Sequence, residues 1–336
     1  MSMNNRGRDR ISEYLIDSNR RVLFDELSER YLRSVGAEDL LSGVPVPVAA
    51  GLGEELSNAT VALGMARVIG ADNSFPYKAQ YMEFMRRTFG ENVVRAIVAE
   101  GAKLGGSGDY EVAAMMFRAA LLFDPKSQDA LYLYGRACKD AYEIETQDEA
   151  YVGNFKAESI EAFELLTMLH PDFAMGYYFL GYGYANLGLY AKAELTWKDF
   201  MRLTEDGAGE ADDLRDEIAG RLKSLEDPVR IEQACNMILG GDYLTGRNTL
   251  MEYADTDFAN WWPLWYHIGT AEAALGNAAA AIAAYRRALA LTPSNTALMQ
   301  ELVEIYDAVG DAENAAKYRR KIEIIANNIE NERRGN

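Results

Sequence analysis

The stretch Trp262–Asn295, WPLWYHIGTAEAALGNAAAAIAAYRRALALTPSN, is two apolar helical runs around a single glycine. Gly276 breaks the chain between the runs, and Pro293 ends the second because a proline cannot continue the helical ladder. Gly269 and Ala281 are small where two antiparallel helices must approach closely. Tyr285 is large where the second helix must fill the remaining gap. The segment therefore predicts a helix–turn–helix unit of 34 residues, with one face that needs a neighbour.

The order Trp265-x2-Ile268-Gly269, Ala281-x3-Tyr285, Ala288, Pro293 resembles the tetratricopeptide (TPR) repeat. Glu272 departs from it, standing where the family usually has an aromatic. The resemblance implies an all-α fold, a TPR α-solenoid that winds helix–turn–helix repeats into a right-handed superhelix. It also implies a binding surface rather than a catalyst. The register recurs from Val94, with Ile97, Gly101, Gly108, Ala113, Phe117 and Pro125. A unit from Leu131 carries Gly135 and Phe163, with twelve residues inserted around 142–155. A clean unit from Ala174 carries Gly181, Gly188, Ala193 and Trp197. The acidic stretch 205–226 reads as an inserted or prolonged helix, and a degenerate unit at 227–261 precedes the defining one. A last unit spans 296–329. The expected organisation is thus a helical N-terminal cap region at 1–93, about six units at 94–329 and a polar tail at 330–336. Within the cap, apolar spacing predicts one amphipathic helix over 10–34, an extended strap at 44–48, and helices over 52–70 and 76–88. The stretches GLYAKAELTW (188–197) and WWPLWYHIG (261–269) are similar to TPR proteins of anaerobic Gram-positive bacteria, which implies no activity.

A net charge of −18 disfavours nucleic acid and anionic membrane surfaces as partners, since both need clustered Lys and Arg. Two distant cysteines make no disulfide framework, and nothing resembles a signal peptide or membrane span, so a cytoplasmic location is expected. Neither histidine has a metal-ligand partner at the right spacing, so no metal is expected. Gly51-Leu52-Gly53 lacks the third glycine of a dinucleotide loop, and no Gly-Lys-Ser/Thr exists for a P-loop, so no cofactor is expected. Cys138 stands at a buried position and reads as an inert core thiol; His170 and His267 read as boundary and packing residues. No catalytic residue is expected.

The resemblance places the concave, partner-binding face on the first helix of each unit. Projected here it gives Tyr132, Arg136, Lys139, Met175, Tyr178, Tyr182, Asn186, Ile231 and Cys235, then Tyr266 and Thr270. Tyrosines along a groove supply apolar area with a hydroxyl handle, which suits a peptide or protein partner. The Lys/Asn clamp by which TPR co-chaperones grip a C-terminal carboxylate is absent: the corresponding residues are Tyr132, Leu133, Arg136, Tyr178, Phe179 and Tyr182. The expected role is a protein- or peptide-binding scaffold. The alternatives are a peptide-sensing regulator resembling Gram-positive quorum-sensing TPR receptors, or an enzyme subunit with a TPR docking arm. The second-helix series Phe117, Phe163, Trp197, Leu250, Tyr285 ends at Arg319, so the last helix is expected to cap the array and the chain to be a monomer. Ile322, Ile325 and Ile329 share one face of that helix, from which Ile324 points away.

Overall fold

The computed structural model describes residues 9–48, 57–144, 148–205 and 210–335. Apart from one two-stranded element, the regular structure of the described residues is helical, and the chain divides into two units, Met1–Arg215 and Asp216–Asn336. In the first, α1 (Ser12–Ser18), β1 (Leu23–Glu26), α2 (Glu29–Val35), α3 (Glu38–Leu41), β2 (Pro45–Val48), α4 (Asn58–Ala71) and α5 (Lys78–Phe89) precede three helix hairpins. These are α6 (Val93–Gly106) with α7 (Tyr110–Phe123), α8 (Gln128–Ile144) with α9 (Glu149–Leu169), and α10 (Ala174–Asn186) with α11 (Tyr190–Leu203).

The single helix expected over 10–34 is not formed. The chain turns at Asn19–Val22, and Leu23–Glu26 pairs antiparallel with the extended strap, Leu23 opposite Val48 and Glu26 opposite Pro45. The apolar spacing that suggested one helix is shared among separate elements, with Ile11 and Leu15 buried and Val22 and Leu27 outside α1 and α2. Tyr81 donates from its hydroxyl to Pro45 O at 2.6 Å, tying the strap to α5. Residues 49–56, with Gly51-Leu52-Gly53 and the start of the second expected helix, lie outside the described residues. What is described begins at Asn58, behind Ser57, which accepts from Thr60 N at 3.1 Å.

The helix expected to end at 70 ends at Ala71, and Gly70 in its last turn has a second role. A Cβ there would fall 1.8 Å from Met115 O, so α4 and α7 touch backbone to backbone. Packed by α1, α4, α6 and α8, α7 is buried from Ala113 to Ala120, Arg118 included.

Steric locks hold the repeat hairpins. A Cβ on Gly269 would lie 2.6 Å from the Tyr285 ring, and one on Gly181 would lie 2.2 Å from Trp197 Nε1. Gly101 meets Phe117, and Gly135 meets Phe163, in the same way. The twelve inserted residues lengthen the second hairpin's helices, for α8 runs to Ile144 and α9 starts at Glu149, with 145–147 outside the described residues. On the lengthened α9, Tyr151 stacks on Phe155 at 4.2 Å, and Tyr14 of α1 meets Tyr151 edge-on at 5.1 Å.

From Asp216 the second unit takes up the rest of α12 (Glu210–Leu239), then α13 (Tyr243–Met251), α14 (Trp262–Ala274), α15 (Ala278–Leu291), α16 (Thr296–Ala308) and α17 (Ala312–Gly335). Residues 206–209 of the acidic stretch lie outside the described residues; from Glu210 it is helical and continues through Pro228 over 30 residues. Buried Glu272 is satisfied rather than stranded: Asn277 Nδ2 donates to it at 2.7 Å, and Arg247 lies 3.5 Å away. Phe117, Phe163, Trp197, Leu250 and Tyr285 are all buried, whereas Arg319 is exposed and paired with Asp307. Ile322 and Ile325 pack on the core and Ile324 is exposed, as the spacing predicts. The last helix continues to Gly335. No helix among the described residues is long and apolar enough to cross a membrane.

Candidate functional site

The aromatic face of the first unit is built by α8 and α10. Leu131, Tyr134, Gly135 and Cys138 turn inward from α8, which leaves Tyr132, Arg136 and Lys139 on the half-exposed side. On α10, Gly176, Leu180 and Gly181 are buried, which leaves Met175, Tyr178 and Tyr182 half-exposed and Asn186 exposed at the end.

The two sets meet through two phenylalanines. Tyr132 packs edge-on against Phe173 at 5.2 Å and lies 5.9 Å from Phe179. The Arg136 guanidinium sits 5.0 Å from the Phe179 ring centre and 5.9 Å from that of Tyr132, the geometry of a cation–π contact. Its nearest carboxylate, Asp140, is 3.9 Å away on the same helix. Tyr178 and Tyr182 face each other at 5.2 Å and rest on Phe200 and Trp197, at 5.5 and 4.9 Å respectively. Lys139 is drawn to Glu143 at 2.6 Å, along its own helix. Phe173 and Phe179 are the residues that the repeat projection missed. The aromatic density of FAMGYYFLGYGY was the available signal.

Ile231 must be removed from the face. It is 3% exposed in the second unit's core, and Cys235 beside it is buried, its thiol pushed up to about 11 by burial. The reason is that α12 runs unbroken, so its register follows the packing of Ala234, Ile238 and Leu250 and not the register of a repeat beginning at 227. On α14, Tyr266 is half-buried 6.1 Å from Tyr285, and the Thr270 hydroxyl donates to Tyr266 O and accepts from Tyr285, at 3.1 and 3.3 Å.

Cys138 is fully buried, and burial drives its thiol far up, as an inert core position requires. His170 donates from Nε2 to Lys126 O at 2.7 Å, a link between repeat boundaries that the sequence did not reveal. His267 packs edge-on against Tyr266 at 5.2 Å, and burial lowers its pKa below the ordinary 6.5. The unfolded chain then binds the proton more readily, so the second unit is expected to lose stability as pH falls below about 6.5. In urea titrations at pH 7.5 and 5.5, His267→Gln should lose less stability than the wild type; equal losses would refute the assignment.

A second polar cluster, invisible in the sequence, lies inside the first unit. Arg118 pairs with Asp9 and donates to Ser12 Oγ at 3.3 Å, while Arg10 pairs with Glu161 and reaches within 3.4 Å of Glu158 Oε1. Tyr134 donates to Glu158 Oε2 at 2.7 Å. Burial raises the Glu158 carboxyl above its ordinary value, against the Tyr134 hydrogen bond and the charges of Arg118 and Arg10, which lower it. Among the described residues, no group of three His, Cys, Asp or Glu is placed to hold a metal ion.

Residues 262–305 match the tetratricopeptide repeat family. A search of curated proteins finds no match. Among solved structures the chain is similar to MamA, at 15% identity over 70% of this chain and 92% of that one, with a TM-score of 0.29. It is also similar to a tetratricopeptide repeat protein from Parabacteroides merdae, at 14% identity over 80% and 93%, with a TM-score of 0.32. The TPR domain of P58(IPK) matches at 12% identity over 82% and 74%, with a TM-score of 0.45.

Proposed function

We propose that the chain is a non-catalytic protein-interaction scaffold whose α8–α10 face binds an extended peptide segment of a protein partner. The observation that carries this reading is Arg136 laid across Phe179 and Tyr132, on a chain whose net charge is −18. A cation held on an aromatic surface offers a carboxylate-bearing, apolar segment both of the contacts it needs. Tyr132, Phe173, Tyr178 and Tyr182 then supply rigid contact area with hydroxyl groups at its rim. The docking of α1 on α7 and α9 favours a second reading, in which binding also shifts the N-terminal segment.

Selection of random peptides displayed on phage tests the first reading. The expected winners carry a carboxylate next to apolar residues, and Tyr178→Ala/Tyr182→Ala should weaken them about tenfold or more. Because both tyrosines also rest on Trp197 and Phe200, the helical circular-dichroism signal must be shown to survive. Peptides that bind the folded double variant unchanged would remove these tyrosines from the site.

A further inference from the structure

A cavity of about 190 Å3 opens in the first unit beside the buried polar cluster, and none of Tyr132, Arg136, Phe173, Tyr178, Phe179 or Tyr182 lines it. At about 30 Å3 per water it offers the room of roughly six waters, enough for the body of a small organic molecule. Asp9, Asn73, Arg118, Tyr134, Glu158 and Glu161 form its polar side, and Leu121, Leu122, Leu131 and Ala162 are among its apolar walls.

Two polar groups there have unused capacity. Arg118 is 5% exposed; its Nη2 serves Asp9 and Ser12, yet its Nη1 is buried with no hydrogen-bond partner. Glu158 is 1% exposed; its Oε2 accepts from Tyr134, yet its Oε1 accepts no hydrogen bond, with Arg10 Nε 3.4 Å away. Buried donors and acceptors are satisfied in nearly all native structures, so such a pair in one cavity wall asks for a ligand that brings one of each. The charges narrow the choice. Three carboxylates and one guanidinium line the space, and with Arg10 against two of the carboxylates the balance is still negative, so a lone anion is disfavoured, while a lone cation leaves Arg118 Nη1 unmet.

We infer that this cavity binds a free aliphatic α-amino acid, its carboxylate on Arg118 Nη1, its ammonium on Glu158 Oε1 and its side chain against Leu121, Leu122 and Leu131. The site is independent of the peptide face, and each can fail without the other.

Calorimetric titration of the full chain with L-leucine tests it, beside three analogues: 4-methylpentanoate, which lacks the amine; 3-methylbutylamine, which lacks the carboxylate; and L-leucinamide, which mimics a peptide N-terminus. Leucine should bind, and each analogue should bind about tenfold or more weakly, because each leaves Arg118 Nη1 or Glu158 Oε1 without a hydrogen bond. Ala162→Leu, which fills the apolar part of the cavity and removes none of the charges, should abolish binding while the helical signal is kept. Glu158→Gln should weaken leucine but not 4-methylpentanoate, for which it removes a repelling carboxylate. Absence of leucine binding would overturn the inference. So would an amine or amide that binds as well as leucine, or undiminished binding to folded Ala162→Leu.

Discussion

Replacing Trp197 with alanine is expected to cost the first unit about 3–5 kcal/mol, the range for removing a buried aromatic. Trp197 is 1% exposed. Its indole fills the space that Gly181 leaves open, its Nε1 donates to Tyr178 O at 3.1 Å, and Tyr182 meets its edge at 4.9 Å. The loss therefore combines apolar area, the cavity left behind, and the indole's hydrogen bond to Tyr178 O. Urea denaturation followed by circular dichroism measures it. Trp197→Phe should recover most of the loss, and Gly181→Ala should be destabilising in its own right, since the new methyl meets the ring. A Trp197→Ala variant within about 1 kcal/mol of wild type would show that the Gly–aromatic lock does not hold the hairpin.

Arg118→Met is expected to cost a comparable amount, about 3–5 kcal/mol, for a different reason. The side chains of Arg118 and Asp9 are only 5% and 10% exposed, so removing the cation strands a carboxylate away from water. Ser12 loses a hydrogen bond at the same time, and α1 loses the anchor that holds Ile11 and Leu15 in the core. Adding Asp9→Ala to Arg118→Met should return much of the stability, because a buried ion pair replaced as a whole by apolar groups is often neutral. Urea titration gives the cycle, and amide exchange over Ser12–Ser18 reports whether α1 has come loose. Additive losses in the double variant would mean that the two residues are not coupled.

The repeat hairpins were legible because their packing is written at fixed spacing. A glycine on the first helix and an aromatic on the second recur together, and the structure puts Gly181 on Trp197 and Gly269 on Tyr285. What was not legible depends on distant partners. Leu23–Glu26 reads as part of a helix until Pro45–Val48 is available to pair with it. Gly70 reads as a terminator, since one letter serves both a helix end and a close crossing, and only the position of Met115 decides. Nothing in the sequence links Arg118 to its partner Asp9, 109 residues away. The aromatic face was half legible. Repeat register found Tyr132, Arg136, Tyr178 and Tyr182, but it could not show that Phe173 and Phe179 join them. It also misplaced Ile231, where a helix running through Pro228 overrides the register.

The claim that the α8–α10 face recognises a carboxylate-bearing segment is tested most directly by swapping charge across it. A fluorescently labelled peptide selected on the wild-type chain is titrated against wild type, Arg136→Glu and the control Arg33→Glu, whose site on α2 is exposed. The account predicts about tenfold or greater loss with Arg136→Glu and no change with Arg33→Glu. It also predicts recovery when the peptide's carboxylate is replaced by lysine. Equal binding to wild type and Arg136→Glu would contradict it.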